Sequence, residues 1–124
     1  MKKLILLTAA FMVAVAVSMH GFAAAAEKSM MMEGYIIDTK CAADNKADLG
    51  EFVKTHTKEC AVLPSCAASG YNLYSEGKLW KFDKDSSGKV HEFLMKKDST
   101  LKVKVEMMHG EGDMIKLVSI KNAK

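Results

Sequence analysis

Arginine is absent from this chain, since all 18 of its basic residues are lysine. The flat guanidinium fork that grips phosphates and base edges through paired hydrogen bonds is therefore missing, and nucleic acid is not an expected partner. No Cys-x-x-Cys pair and no Cys-x-x-Cys-His run occurs, which removes the common dithiol redox motif and covalent haem attachment. Proline appears once, at Pro64, and no internal repeat or low-complexity linker divides the chain, so one domain is expected. Beyond residue 17 no second long apolar run follows, which leaves nothing of the length a membrane helix needs.

The long apolar run that does exist lies at the start. Lys2 and Lys3 precede Leu4 to Val17, and a small-residue stretch, Ala23 to Ala26, comes after it. A basic end, an apolar middle too short for a comfortable span and a small-residue cleavage region are the three parts of a secretory signal peptide. The expectation is a signal peptide over residues 1–26 and a single periplasmic or secreted domain over residues 27–124, free of the membrane after cleavage. Lipid anchoring would need a cysteine at the cleavage point, and the first cysteine is Cys41. Without the leader the chain has about 98 residues and a net charge near +1. So small a domain buries one marginal core, and a crosslink or a structural metal adds useful stability.

Gly34-Tyr35-Ile36-Ile37-Asp38 is rich in strand formers, while Glu27 to Met32 ahead of it reads as a frayed terminus. Leu49, Phe52, Val53 and His56 recur at helical spacing and predict one helix over Asp44 to Lys58, with Cys60 one turn beyond His56 on the same face. Tyr71 to Tyr74 and Leu79 to Phe82 read as strands joined by the tight turn Ser75-Glu76-Gly77-Lys78, with Trp80 and Phe82 pointing to one side. After a polar turn from Asp83 to Gly88, the residues Val90, Phe93 and Leu94 predict a short helix. Leu101, Val103, Val105 and Met107 alternate with Lys102, Lys104 and Glu106, the period of a half-buried strand. Gly110 to Asp113 then turns the chain into a last strand, Met114 to Ile120. The expected fold is mainly β with short helices: a five-stranded OB-type barrel with a Cys/His-bearing helical insertion after its first strand. A small α+β sandwich is the alternative.

Three cysteines cannot all pair within one exported chain, so at least one sulfur is left for other chemistry. Cys41 follows the first strand, and His56, Cys60 and Cys66 fall within eleven residues of one another. Three sulfurs and an imidazole suit tetrahedral zinc, and soft thiolates also suit cuprous copper, so Cys41, His56, Cys60 and Cys66 are the candidate metal ligands. An oxidising compartment equally allows a structural disulfide, Cys60 with Cys66 or Cys41 with either, which leaves one free thiol and makes His56 a residue of the core edge. The domain is then a disulfide-stabilised interaction module for an unknown protein partner, without metal. A free cysteine beside His56 could act as a nucleophile, but no oxyanion donor or orienting residue accompanies it, and an enzyme is not expected.

The pattern Gly34-x-Ile36-x-Asp38-x-x-Cys41, followed by His56, Cys60, Cys66 and Gly70, resembles that of a group of small exported bacterial proteins with OB-like folds and no settled biochemical activity. The resemblance covers roughly residues 27–124, with its specific residues between Gly34 and Gly70, and what it implies is the barrel fold rather than a function. In that pattern the histidine and the last two cysteines stand closer together than in His56-x3-Cys60-x5-Cys66, which here contains Pro64.

Two weaker signals complete the reading. Seven methionines follow the leader, at Met30 to Met32, Met95, Met107, Met108 and Met114, with His109 among them and Trp80 elsewhere in the barrel. Thioethers and imidazole together suit cuprous copper, yet Met107 belongs to the alternating apolar set, and packing accounts for most of these residues. Asp83-x-Asp85-x-Ser87-Gly88 has the alternating oxygens of half a calcium loop, but Leu94 stands where the bidentate glutamate would fall, and a plain polar turn is expected. His91, beside Glu92, reads as solvent-facing.

Overall fold

The structure is a computed structural model that describes residues 28–124, so the expected signal peptide lies outside the described residues. In chain order the elements are β1 (Met30–Asp38), α1 (Thr39–Asp44), a 3-10 turn (Lys46–Asp48), α2 (Leu49–Thr55), α3 (Lys58–Ala61), α4 (Pro64–Ala68), β2 (Tyr71–Ser75), β3 (Lys78–Phe82), α5 (Lys84–Leu94), β4 (Lys102–His109) and β5 (Met114–Asn122). The strands pair in the order β1-β2-β3-β5-β4, and β4 returns to β1, so a mixed sheet closes into a ring. Only β3 and β5 run parallel, over Lys81↔Met114 and Phe82↔Ile115, and the other four pairings are antiparallel. Closure removes the exposed strand edges through which small β domains associate.

Alternation decides which face of each strand turns inward. In β4 the side chains of Val103, Val105 and Met107 are fully buried while Lys102 and Lys104 face solvent. They meet Ile36, Tyr71, Leu73, Phe82 and Ile115 inside the ring, and α5 closes it with Val90, Phe93 and Leu94. Each such side chain contributes roughly 1.5–3 kcal/mol relative to exposure. The second half of β1 departs from alternation, because Ile36, Ile37 and Asp38 are all buried. Ile36 faces the ring, whereas Ile37 faces outward under the helices and packs with Ala42 and Val53 in a second, smaller core. That doubly buried strand end is where the site forms.

Several sequence expectations change in detail. Met30 to Met32 do not fray: they pair with Met107, Glu106 and Val105 as the start of β1, and Met30 and Met32 pack on the core. The single helix expected over Asp44 to Lys58 is broken. Asn45 ends α1, and α2 stops at Thr55. His56 takes an extended backbone, and Thr57 caps a new helix by accepting from the Cys60 amide at 3.3 Å. Threonine favours such caps over helix interiors, and Leu63 is held extended by the following Pro64, which opens α4. His56 and Cys60 therefore do not share one helix face.

The turn expected over Asp83 to Gly88 is mostly helix. Asp83 caps α5 by accepting from the Ser86 amide at 2.8 Å, and the buried Ser86 hydroxyl accepts from Leu117 N at 2.8 Å. The half calcium loop is thus a helix start, its first carboxylate engaged as the cap. The strands expected at Tyr71 to Tyr74, Leu79 to Phe82 and Met114 to Ile120 are present, and the last extends to Asn122.

Candidate metal centre

Asp38 ends β1 and caps α1, with Oδ2 accepting from the Cys41 amide at 2.9 Å. Aspartate is a preferred residue at this position because its carboxylate satisfies an orphan amide of the first turn. The same bond fixes Cys41 directly over the strand end. Cys66 is brought to Cys41 by a second set of bonds: Thr39 N donates to Gly70 O at 2.9 Å, Lys40 N to Ser69 Oγ at 3.1 Å, and Ser69 Oγ to Cys66 O at 2.6 Å. Gly70 accepts this geometry because its φ of 84° lies where a side chain would be strained.

Cys60 is held from two directions. The buried Tyr71 hydroxyl donates to Ala61 O at 2.9 Å, immediately after Cys60. Lys58, at the start of α3, places its ammonium among the carbonyls of Lys96, Lys97 and Ser99 at 2.9–3.2 Å, which binds α3 to the end of α5. His91, expected to face solvent, is instead half-buried with Nδ1 3.2 Å from the Tyr71 hydroxyl. Burial pushes the Tyr71 phenol up to about 12, so it stays a donor across the physiological range.

These supports converge five side chains. Donor atoms of Cys41, His56 and Cys60 lie within 4.8 Å of one another, and so do those of Asp38, Cys41 and Cys66. Cys41 belongs to both groups. All three cysteines are free thiols. The four residues singled out by the sequence are therefore close enough to hold a metal ion, although Cys66 groups with Asp38 and Cys41 rather than with His56 and Cys60.

Asp38 Oδ1 and the ring of His56 lack hydrogen-bond partners. The side chains of Asp38 and His56 are 0% and 2% exposed, and His56 Nε2 lies 3.4 Å from Asp38 Oδ1 without the alignment of a hydrogen bond. Among the described residues, four buried side-chain polar atoms have no partner: Asp38 Oδ1, both ring nitrogens of His56, and Trp80 Nε1. Three of the four fall in this cluster, where a cation would satisfy Asp38 Oδ1 and the one His56 nitrogen that carries a lone pair. Burial lowers the His56 pKa, with the Asp38 carboxylate pulling the other way, so the imidazole is neutral and has a lone pair to give. Burial, a hydrogen bond to Asp38 and the negative charge of Asp38 raise the Cys41 thiol to about 12. A nucleophilic cysteine needs the opposite shift.

Asp38 is the site residue that ligand-type reasoning on sulfur and imidazole overlooks. Its signal is a carboxylate at the end of an apolar strand, three residues before Cys41. The other candidate sets are not assembled in the same way. Met107 is core, Met30 and Met32 pack against it, Met95 and His109 are exposed, and Trp80 lies beneath the Lys78 ammonium at 3.9 Å. No helix among the described residues is long and apolar enough to cross a membrane. Comparison with protein families, with curated proteins and with solved structures gives no match to this chain.

Proposed function

We propose that this protein is an exported, periplasmic or secreted binding protein for a soft or borderline metal ion, zinc or cuprous copper. The fold is an OB-type domain over residues 27–124, and Cys41, His56, Cys60 and Cys66 are its ligands. The strand order β1-β2-β3-β5-β4 with one parallel pair, and the helix α5 between the third and fourth strands, support the OB assignment. The observation that carries the function is the convergence of three free sulfurs with an imidazole whose two nitrogens are buried without partners. Thiolate and imidazole donors select zinc and cuprous copper over magnesium or calcium.

The competing reading is a disulfide-stabilised interaction module without metal. Cys41 lies near enough to Cys60 and Cys66 to choose either, but a disulfide would leave Asp38 Oδ1 and both His56 nitrogens unsatisfied. The test is the metal content and free-thiol count of the protein purified from its exported compartment without chelator or reductant. At least one equivalent of zinc or copper, with thiols that alkylate only after the metal is stripped, supports the metal reading. No metal, with one alkylatable thiol and one disulfide, refutes it.

A further inference from the structure

We infer that the cluster holds two metal ions bridged by the Cys41 thiolate, one ion bound by Cys41, His56 and Cys60 and the other by Cys41, Cys66 and Asp38. This rests on the metal-binding reading above and extends it to the number of ions and to a fifth ligand.

The donors are arranged as two groups with one shared member. Around a single tetrahedral ion with bonds of about 2.0–2.3 Å, every donor lies roughly 3.3–3.8 Å from every other. Here Cys66 lies within 4.8 Å of Asp38 and Cys41, and His56 and Cys60 lie within 4.8 Å of Cys41 in a separate group. Cys41 is the common vertex, and a thiolate sulfur has lone pairs enough to bind two ions. The groups touch along a second edge, where Asp38 Oδ1 stands 3.4 Å from His56 Nε2. Both atoms are without a hydrogen-bond partner, and the two groups therefore adjoin rather than stand apart.

Charge favours the same count. Three thiolates and the Asp38 carboxylate carry four negative charges, and two divalent ions cancel them. One divalent ion leaves two negative charges in a site where Asp38 is 0% exposed and no lysine among the described residues reaches its carboxylate within 4.0 Å. Uncompensated buried charge is the costly alternative. On binding, each thiol loses its proton to solvent as a metal–sulfur bond replaces the S–H bond, and no electron is transferred.

The experiment is a titration of the reduced, metal-free mature protein with zinc(II), and separately with copper(I) under anaerobic conditions, read by native mass spectrometry. Two equivalents per chain of zinc(II) are expected, with a metal–metal scattering path in X-ray absorption. Asp38→Asn, which keeps the cap on α1, and His56→Ala should each retain one equivalent, whereas Cys41→Ser should lose both. If Cys41→Ser fails to fold, the pair Asp38→Asn and His56→Ala still decides, because each removes a donor from a different ion. Saturation at one equivalent that Asp38→Asn leaves unchanged would overturn the bridged pair while leaving the metal-binding reading intact. No binding of either ion would overturn both.

Discussion

Replacing His56 with leucine should stabilise the metal-free protein, the reverse of what a core substitution normally does. The imidazole side chain is 2% exposed and neither of its nitrogens has a hydrogen-bond partner. A buried polar group left unsatisfied costs about 1–3 kcal/mol, and an apolar group of similar shape recovers that cost. The ring's contact with Phe52, at 5.2 Å between centroids, is lost and takes back on the order of 0.5–1 kcal/mol. The net gain is about 0–2.5 kcal/mol, or up to roughly 20 °C in Tm for a domain of this size. With metal present the order should invert, because an ion at 100 times its Kd stabilises the wild type by about 2.7 kcal/mol and the variant has lost a ligand. The assay is calorimetric melting of both proteins under reductant, with chelator and then with zinc. A lower Tm for His56→Leu under chelator would refute the reasoning, since it would mean that the ring nitrogens are already satisfied.

Four further outcomes follow from the same geometry. The His56 pKa lies below 6.5 because burial outweighs the pull of Asp38, so below that pH the unfolded chain takes up a proton that the folded one refuses. Metal-free stability should therefore be complete above pH 6.5 and decline as the pH falls, a decline that denaturant titrations should not find in His56→Leu. Cys41, whose thiol is raised by burial and by Asp38, should alkylate at pH 8 about 10-fold or more slowly in the folded apo-protein than in urea, judged by peptide mass mapping. Tyr71→Phe removes the bond to Ala61 O that fixes the turn carrying Cys60, and should weaken metal affinity by about 10-fold or more in a competition titration. Gly34→Ala should cost about 1–3 kcal/mol or more in chemical denaturation, because a Cβ there runs into the Tyr74 carbonyl oxygen of the paired strand.

The ring of strands was legible in the sequence because its signals are local. Val103, Val105 and Met107 alternate with lysines, Gly77 sits in a two-residue turn, and Val90, Phe93 and Leu94 keep helical spacing, so each element declares its own inward face. The helical insertion was legible as an insertion, but its breaks were not, because they depend on caps rather than periodicity. Leu49, Phe52, Val53 and His56 follow one helical stripe, yet Thr57 competes as a cap and the stripe ends at Thr55. The four ligand-type residues were visible from chemistry alone. How they group was not, since Cys66 reaches Cys41 through bonds between Thr39 and Gly70 that are 31 residues apart. Asp38 was visible as the end of a strand and as a position of the pattern leading to Cys41, but not as a member of the site, because its two roles belong to different oxygens: Oδ2 caps the helix, and Oδ1 faces His56.

The energetic weight of those atoms argues that an occupant belongs to the fold. Three partnerless buried atoms, at about 1–3 kcal/mol each, cost an amount comparable to the entire stability expected of such a domain, about 5–15 kcal/mol. The cost cannot be relieved locally. Asp38 is pinned by its cap to Cys41 and by strand pairing with Tyr71, and His56 is wedged between Phe52 and Asp38 at the break between two helices. Metal binding as proposed would then tighten a segment from Thr39 to Gly70 that is already closed without it, with the chain giving up thiol protons as the ion adds its binding energy to the fold. Chelation should accordingly raise amide exchange across α1 to α4 while leaving the paired strands β4 and β5 protected, a contrast that hydrogen-exchange mass spectrometry resolves segment by segment. Uniform exchange in both regions would separate the site from the fold and remove the reason for its unsatisfied atoms.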